Sequence, residues 1–204
     1  MDYLNTFKKI KALAETGLVY AQNGYEVERN QELVNLSQEL ISAIAQQPIK
    51  ALDKFYLPPK EYPTPKVDVR ALILNDDDQI LMAKEKMDGR WSIPGGWADI
   101  GHSPSEVIIK EVEEETGLIS EVIRVLAIYD KRCHPHPPQP WYVYKIMFLC
   151  KMTGGELRGN FDIEEANWFS IDNLPPLSED RILASQIEKL FHLAKHPELP
   201  VVCD

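Results

Sequence analysis

The sequence contains few cysteines, no long apolar run and no excess of basic residues. Its three cysteines, Cys133, Cys150 and Cys203, are odd in number and widely spaced, so they indicate neither a disulfide framework nor a zinc site. No stretch approaches the roughly 18 uncharged apolar residues of a membrane-spanning helix, and the first residues form neither a basic leader nor an apolar run. We therefore expect reduced thiols, no membrane association and a cytoplasmic location.

The charge balance is strongly acidic. The chain has 22 lysines and arginines against 32 aspartates and glutamates, for a formal net charge of −10. Such a surface repels polyanions, which argues against a DNA-binding protein and favours a small anionic ligand accompanied by divalent cations. A hydrophobic content of 44% in 204 residues is enough to bury a full-sized core.

The pattern of apolar residues changes along the chain. Residues 4–18 and 33–44 carry apolar side chains at helical spacing, which predicts two amphipathic helices, and a third helical segment is predicted at 48–55. Four prolines between residues 57 and 66 predict a stiff linker. We predict a helical domain at 1–57, a linker at 58–66 and a mixed domain at 67–204.

The mixed domain shows both strand and helix patterns. Strands are predicted at 67–74 and 79–83, joined as a hairpin by a polar turn at 75–78. Further strands are predicted at 122–129, 142–152 and 166–170, with helices at 104–116 and 180–194. With no internal repeat in the sequence, this mixture predicts an α/β (α+β) fold in which helices cover a sheet.

A glycine-rich loop at 95–102, with the sequence GGWADIGH, leads into an acidic helix. Its backbone can approach a ligand closely because glycine has no side chain in the way. Ser103, Pro104 and Glu106 then form a helix start, with a serine N-cap, a proline in the first turn and a glutamate that completes a capping box. The register of the helix follows from this start.

Three glutamates share one face of that helix. Glu111, Glu114 and Glu115 stand at positions i, i+3 and i+4. Like charges at this spacing raise one another's pKa unless a cation lies between them, and oxygen ligands favour Mg²⁺, Mn²⁺ or Ca²⁺ over zinc. A glutamate run by itself is typical of a solvated face; the glycine loop and the capped start favour a metal site for phosphate chemistry.

Residues 95–118, GGWADIGHSPSEVIIKEVEEETGL, resemble a Nudix box, whose pattern is G-x5-E-x7-R-E-U-x-E-E-x-G-U with U an apolar residue. The matching positions are Gly96, Glu111, Val112, Glu114, Glu115, Gly117 and Leu118. His102 replaces the first glutamate of the pattern and Lys110 replaces its arginine. In the family these two residues help to hold the loop against the helix, so the resemblance implies that this support is lost here.

The N-terminal helices, the box and the segment AIYDK at 127–131 also resemble the bacterial CDP-choline pyrophosphatase branch, a group often described as ADP-ribose pyrophosphatases. The resemblance implies a Nudix α/β/α sandwich with a mixed sheet, preceded by a small all-helical domain that forms a homodimer. It implies Mg²⁺- or Mn²⁺-dependent hydrolysis of a nucleoside diphosphate-X to a nucleoside monophosphate and phospho-X. The expected order of substrates is CDP-choline, then ADP-ribose, then UDP-linked sugars.

The box also implies roles for individual residues. The expected metal ligands are Glu111, Glu114, Glu115 and the backbone oxygen of Gly95. The general base is left open among Glu111, Glu164 and Glu165; the latter pair precedes an apolar strand and would otherwise be read as an ordinary exposed turn.

A loop at 130–138, with the sequence DKRCHPHPP, contains both cationic residues and rigid prolines and lies between two predicted strands. Such a loop can contact a phosphate. The candidate substrate-binding residues are Lys131, Arg132, His134 and Tyr142, with His136, Trp141 and Phe161 as further candidates for contact with the base. Loop histidines are more often solvated and aromatic residues beside strands are more often core.

Two other functions stay open at this point. An RNA-processing Nudix enzyme would need a basic track, for which Lys131 and Arg132 are a local source. A nucleotide-sensing regulator would bind without catalysis, but the intact box glutamates and the lack of a basic excess in residues 1–57 argue against it.

Overall fold

The computed structural model of the protein describes residues 3–45, 65–137 and 142–204. They belong to two compact units, Met1–Pro63 and Thr64–Asp204, which are described separately below. The helical segment expected at 48–55, most of the expected linker at 58–66, and Trp141 lie outside the described residues.

The described residues of the first unit form two helices, α1 (Tyr3–Tyr20) and α2 (Gly24–Ala45), which pack against each other. Both were expected from the helical spacing of apolar residues. Gly17 allows the helices to approach closely, since a Cβ atom there would lie 2.3 Å from Oδ1 of Asn30. Ala14, Val34 and Ile41 form the buried centre of the pair.

The apolar stripe of α2 is wider than this centre. Leu33, Leu36, Leu40 and Ile44 remain 43–47% exposed, although they belong to the same helical pattern as buried Ile41. Within the described helical unit, α2 therefore carries exposed apolar surface.

The second unit contains two sheets and two longer helices among its described residues. Its elements are β1 (Lys66–Ile73), β2 (Ile80–Glu85), β3 (Trp91–Ser92), β4 (Gly95–Trp97), α3 (Pro104–Thr116), β5 (Leu118–Asp130), β6 (Val143–Gly155), β7 (Ile163–Phe169), α4 (Ala184–Lys195) and β8 (Val202–Cys203). A mixed sheet has the order β4-β1-β6-β5-β8, and an antiparallel sheet has the order β3-β2-β7. No helix in the described ranges combines the length and apolarity needed to cross a bilayer.

Alternation along β1 sends its side chains to two different layers. Val69, Ala71 and Ile73 join an apolar cluster that includes residues of α3. Leu72 joins a second cluster that includes residues of α4, and Asp68 and Arg70 share its side of the strand. The expected α/β/α arrangement is confirmed, and β1 carries two charged residues on an inner face.

The expected hairpin at 67–83 is wrong in its pairing. β1 and β2 lie in different sheets and are joined by one bridge, between Leu74 and Ile80. Because β1 is paired with β4 on one edge and β6 on the other, it has no free edge for β2. The turn itself does form, with the Asn75 side-chain oxygen accepting from two backbone N–H groups.

Three element boundaries also differ from expectation. Residues 95–97 form the short strand β4 instead of open loop, because their backbone pairs with β1. β7 begins at Ile163, so Glu164 and Glu165 lie inside the strand. α4 begins at Ala184 and not at 180, because the N–H groups of Arg181 and Ile182 donate to the Ser178 carbonyl in a turn.

Candidate active site

Helix α3 begins and ends as its sequence indicates. The Ser103 hydroxyl accepts from the Glu106 N–H at 3.3 Å, and the Glu106 carboxylate accepts from the Ser103 N–H at 2.7 Å, which confirms the capping box. Gly117 ends the helix in the left-handed conformation, with φ 76°, and donates to the Glu113 carbonyl. These two ends fix the register of the helix and the face on which its glutamates stand.

The two glycines of β4 bring backbone against the glutamates of α3. The Gly95 N–H donates to Oε2 of Glu115 at 2.9 Å. A Cβ atom on Gly96 would lie 3.1–3.2 Å from the carboxyl group of Glu111. A side chain at Gly96 would therefore press against the Glu111 carboxyl group.

We predict that Gly95→Ala lowers the stability of this unit by about 2–3 kcal/mol. Gly95 has φ +138°, and an added Cβ would lie 2.0 Å from the Val69 carbonyl oxygen, so β4 must move away from β1. Thermal unfolding followed by tryptophan fluorescence measures the loss. Gly89→Ala is the matched control: its φ is +67° but nothing lies within 4 Å of an added Cβ, and we expect a cost of about 1 kcal/mol. Equal effects of the two variants would contradict the prediction.

The carboxyl groups of Glu111 and Glu115, next to the glycines, both have raised pKa values. Burial raises the pKa of Glu115 to about 8, although the charge of Arg70 acts in the opposite direction. Burial also raises the pKa of Glu111 to about 6, with a further contribution from the neighbouring Glu114. A cation between Glu111 and Glu115 would remove the cost of their charges.

The third glutamate of the face stands apart from this pair. The Glu114 side chain is 53% exposed and lies 3.8 Å from Nζ of Lys110. Among the described residues, no three His, Cys, Asp or Glu side chains are already grouped to hold a metal. Mg²⁺ commonly takes only one or two protein carboxylates and keeps several waters, so the oxygen donors of Glu111 and Glu115 fit such an ion.

The loop and the helix are joined by a pair that the Nudix pattern does not contain. Nζ of Lys110 donates to Oδ2 of Asp99 at 3.2 Å, which ties the loop after β4 to α3. We expected the replacements at His102 and Lys110 to remove this support. The Asp99–Lys110 pair provides another connection between the same two elements.

A buried charged cluster that we did not expect lies beside the glutamates. The Asp68 carboxylate accepts from Arg70 at 3.0 and 3.1 Å and from Nζ of Lys145 at 2.7 Å. The Arg70 guanidinium also donates to the Ser92 hydroxyl and the Ile93 carbonyl, both at 3.2 Å. Burial alone would raise the pKa of Asp68, but the two cations hold that pKa below its usual value.

A signal for this cluster is present in the sequence. Asp68 and Arg70 alternate with apolar residues in β1, and Lys145 occupies the position opposite Asp68 in β6. Charged residues on an inner strand face are seldom buried unless they are paired. Asp68 and Lys145 lie 77 positions apart in the chain, so only the strand order brings them together.

The cluster continues toward the loop after β5. Lys131 is buried, and its Nζ donates to the Asp180 carbonyl at 2.7 Å. Arg181 forms an ion pair with the buried Glu85 at 2.9 Å. Lys131, a candidate substrate-binding residue of the loop at 130–138, is a buried cation whose pKa is lowered by burial.

The other candidates in this loop already have partners. Arg132 pairs with Asp130 and lies 5.4 Å from the ring centre of Tyr142. Nε2 of His134 lies 2.9 Å from Oδ2 of Asp204. The Arg132 side chain is 64% exposed and Tyr142 is 63% exposed, so both remain accessible to a ligand.

The alternative general bases, Glu164 and Glu165, lie on strand β7. Glu164 and Glu165 form ion pairs with Lys84 of β2, at 3.1 and 3.9 Å. Both are more than half exposed. Phe161, a further candidate for stacking, is 83% exposed just before the strand. The structure thus places Glu111 and Glu115 together against the backbone of β4, whereas Glu164 and Glu165 pair with Lys84.

His136 lies at the far end of the charged cluster and is expected to make stability depend on pH. Burial lowers its pKa to about 4, whereas the unfolded chain titrates near pH 6.5. The unfolded state therefore binds more protons between these values, and stability falls as pH decreases from about 6.5 to about 4.

We expect this contribution to be roughly 1–2 kcal/mol, allowing for partial solvent exposure of the ring. Urea unfolding at pH 7 and pH 4.5 measures the difference, which should shrink in His136→Phe. The same substitution at the exposed His192 serves as control. An unchanged pH difference in His136→Phe would show that the ring does not contribute.

Comparisons with known proteins cover the whole chain. The family model described as "NUDIX domain" matches residues 64–190, and the model described as "UDP-X-like, N-terminal oligomerisation domain" matches residues 1–56. The chain is 39% identical over 202 residues to a Bacillus subtilis protein named "Putative ADP-ribose pyrophosphatase YjhB", covering 99% of this chain and 97% of that protein.

Two solved structures are also similar. The crystal structure of a UDP-X diphosphatase is 32% identical, with a TM-score of 0.68, and the match covers 100% of this chain and 98% of that one. The crystal structure of an ADP-ribose pyrophosphatase from Streptococcus suis is 38% identical, with a TM-score of 0.63, over 69% of this chain and 100% of that one.

Proposed function

The chain belongs to the NUDIX family and is a pyrophosphatase of that family, and from this premise we propose that it hydrolyses nucleoside diphosphates joined to a second group, X. Water attacks one phosphorus of the diphosphate bridge, and the products are a nucleoside monophosphate and phospho-X. The observation that carries the proposal is the placement of Glu111 and Glu115 against the Gly95–Gly96 backbone.

We propose that Glu111 and Glu115 hold Mg²⁺ or Mn²⁺, with Glu114 and the backbone oxygen of Gly95 as further donors. When bound, the cation neutralises phosphate oxygens and makes water more acidic. The Gly95 N–H, 2.9 Å from Glu115, orients one carboxylate.

For the proton transfer, we propose Glu111 as general base. In that role its carboxylate accepts a proton from the attacking water instead of holding the cation. Arg70 places a fixed positive charge beside both glutamates, and its contacts with Asp68 hold it there. Glu164 and Glu165 remain alternative bases that would first have to leave Lys84.

The identity of X is a finer proposal. The relatives support a UDP-linked or ADP-linked group, since their names specify UDP-X and ADP-ribose. CDP-choline remains a candidate from the resemblance of the N-terminal helices and the box. These substrates share a diphosphate between a nucleoside and a second group. The diphosphate is the part that a cation held by the glutamates would bind.

We further propose that residues 1–57 form a dimerisation domain, that the protein is a C₂ homodimer, and that it works in the cytoplasm. The partly exposed apolar stripe of α2 and the match to an oligomerisation domain support the dimer. A monomeric mass by light scattering at micromolar concentration would contradict it.

The test of the activity is a substrate panel with Mg²⁺, Mn²⁺ or no metal. CDP-choline, ADP-ribose, UDP-glucose and a short RNA are each incubated with the intact protein, and the products are separated by chromatography. We expect metal-dependent release of a nucleoside monophosphate from at least one diphosphate-linked substrate. Cleavage of the RNA alone would favour the RNA-processing alternative, and no turnover would favour a nucleotide sensor.

A further inference from the structure

Trp97 is an exposed tryptophan on the strand that carries the two glycines of the site. It is 41% exposed, whereas Trp91 and Trp168 pack with the two apolar clusters of the same unit. An indole ring offers a large, rigid apolar surface, and removing that surface from water is favourable. The Trp97 ring therefore gains contact area when a planar ligand covers it.

Strand β4 connects Trp97 to the glutamates through its backbone. The Gly95 N–H donates to Glu115 at 2.9 Å, and Gly96 lies against the carboxyl group of Glu111. Trp97 follows these glycines directly, and two residues of extended strand span about 6.6 Å. The Trp97 backbone is thus close to the carboxylates proposed to hold the cation, and its ring is accessible to solvent.

Trp97 and Glu111 lie on opposite sides of β4. Trp97 is the register partner of Asp68 in β1, and opposed residues of an antiparallel pair share one side of the sheet. Gly96 faces the other side, toward Glu111. No strand of the described ranges lies beyond β4 in this sheet. A substrate whose diphosphate lies at this open edge can therefore lay its next group over the Trp97 ring.

A neighbouring charge selects the kind of group that suits the ring. Nζ of Lys66 lies 5.2 Å from the centre of the Trp97 ring, within the range of a cation–π contact. This ammonium repels a second cation, such as the trimethylammonium group of choline, and attracts a phosphate. A neutral, planar nucleobase joined to a diphosphate meets both conditions.

We propose that Trp97 is the stacking platform for the nucleobase of the substrate. The inference rests on the proposed function, to which it adds a nucleoside subsite at the edge of β4. Stacking uses the π-face that every base has. Trp97 therefore contributes affinity for the nucleoside end of the substrate and does not discriminate between bases.

The experiment measures binding of two ligands to the intact protein with Mg²⁺ by isothermal titration calorimetry. The ligands are UMP and 5,6-dihydro-UMP, whose saturated base keeps the N–H and both carbonyl groups of uracil but is neither planar nor aromatic. Wild type is compared with Trp97→Leu and with Trp97→Phe, which keeps an aromatic ring. Tyr144→Leu is the matched control, because Tyr144 is an aromatic residue of β6 with a similar exposure of 44%.

We expect wild type and Tyr144→Leu to bind UMP at least about 5-fold more tightly than 5,6-dihydro-UMP. Trp97→Leu should bring this ratio close to 1 by weakening UMP, and Trp97→Phe should keep most of it. If Trp97→Leu weakens both ligands equally, the residue has a structural role or contacts X, and the inference is wrong.

Failure of the inference can be distinguished from failure of the proposed function. Absence of detectable UMP binding by wild type would also overturn the inference, because an aromatic platform accepts every base. The binding ratio does not require turnover. An inactive wild type on the whole substrate panel would therefore overturn the proposed hydrolysis, while the ratio would still decide whether Trp97 stacks on a base.

Discussion

Replacing Glu115 with glutamine is expected to lower kcat by about 10²–10³-fold, the scale on which loss of a single charge-stabilising group acts in an active site. Glu115 is the carboxylate held by the Gly95 N–H and, with Glu111, forms the pair proposed to bind the divalent cation. A carboxamide keeps one oxygen for the Gly95 N–H but removes the charge that a hard cation requires. Initial rates at saturating substrate and metal measure the effect.

The same variant is expected to keep its fold. Burial raises the pKa of Glu115 to about 8, so without a cation the neutral form is favoured at pH 7, and glutamine resembles that form. Glu113→Gln, on an exposed face of the same helix, removes an equal charge and should leave kcat within about 2-fold, as is usual for surface changes. If both variants lose activity equally, the loss reflects the charge of the helix and not a role of Glu115.

Asp68→Asn is expected to lower the free energy of unfolding by about 3–5 kcal/mol. The substitution leaves Arg70 and Lys145 buried without the carboxylate that both contact. Asparagine has nearly the same shape, so lost charge compensation and not a cavity causes the effect. All four tryptophans, Trp91, Trp97, Trp141 and Trp168, belong to the unit that contains Asp68, so their fluorescence in urea reports on that unit alone.

Two further variants test whether lost charge compensation causes the effect of Asp68→Asn. Asp77→Asn, in an exposed turn of the same unit, should change stability by no more than about 0.5 kcal/mol. Adding Lys145→Met to Asp68→Asn removes one of the two unpaired cations and should recover part of the loss. A double variant as unstable as the sum of its single variants would show that the charges do not interact.

Local patterns were sufficient for the elements that depend on neighbouring residues. Helix α3 matched its expected bounds because its N-cap, capping box and C-terminal glycine lie within the same short segment. The expected strands near 122–129 and 142–152 were found, but they extend to Leu118–Asp130 and Val143–Gly155. Each forms a long ladder with the other, and pairing between strands can lengthen a segment beyond its local pattern.

Pairing between distant segments was harder to foresee. The turn at 75–78 indicated a hairpin, but β1 was already paired on both edges. Strand β8 is only two residues long and pairs in parallel with β5, so it has no periodicity of its own. In both cases the hydrogen bonds of the strand depend on residues far away in the sequence.

The sequence by itself determined the chemistry of this protein: the capped helix, the spacing of Glu111, Glu114 and Glu115, and the glycines before them identify the Nudix box, because all of these signals are local. The tertiary structure decided which side chains act together. It placed Glu111 and Glu115 against β4 and left Glu114 exposed, and it buried Lys131. It also joined Asp68 and Arg70 to Lys145, since these contacts arise only when β1 and β6 become neighbours and bury their shared face.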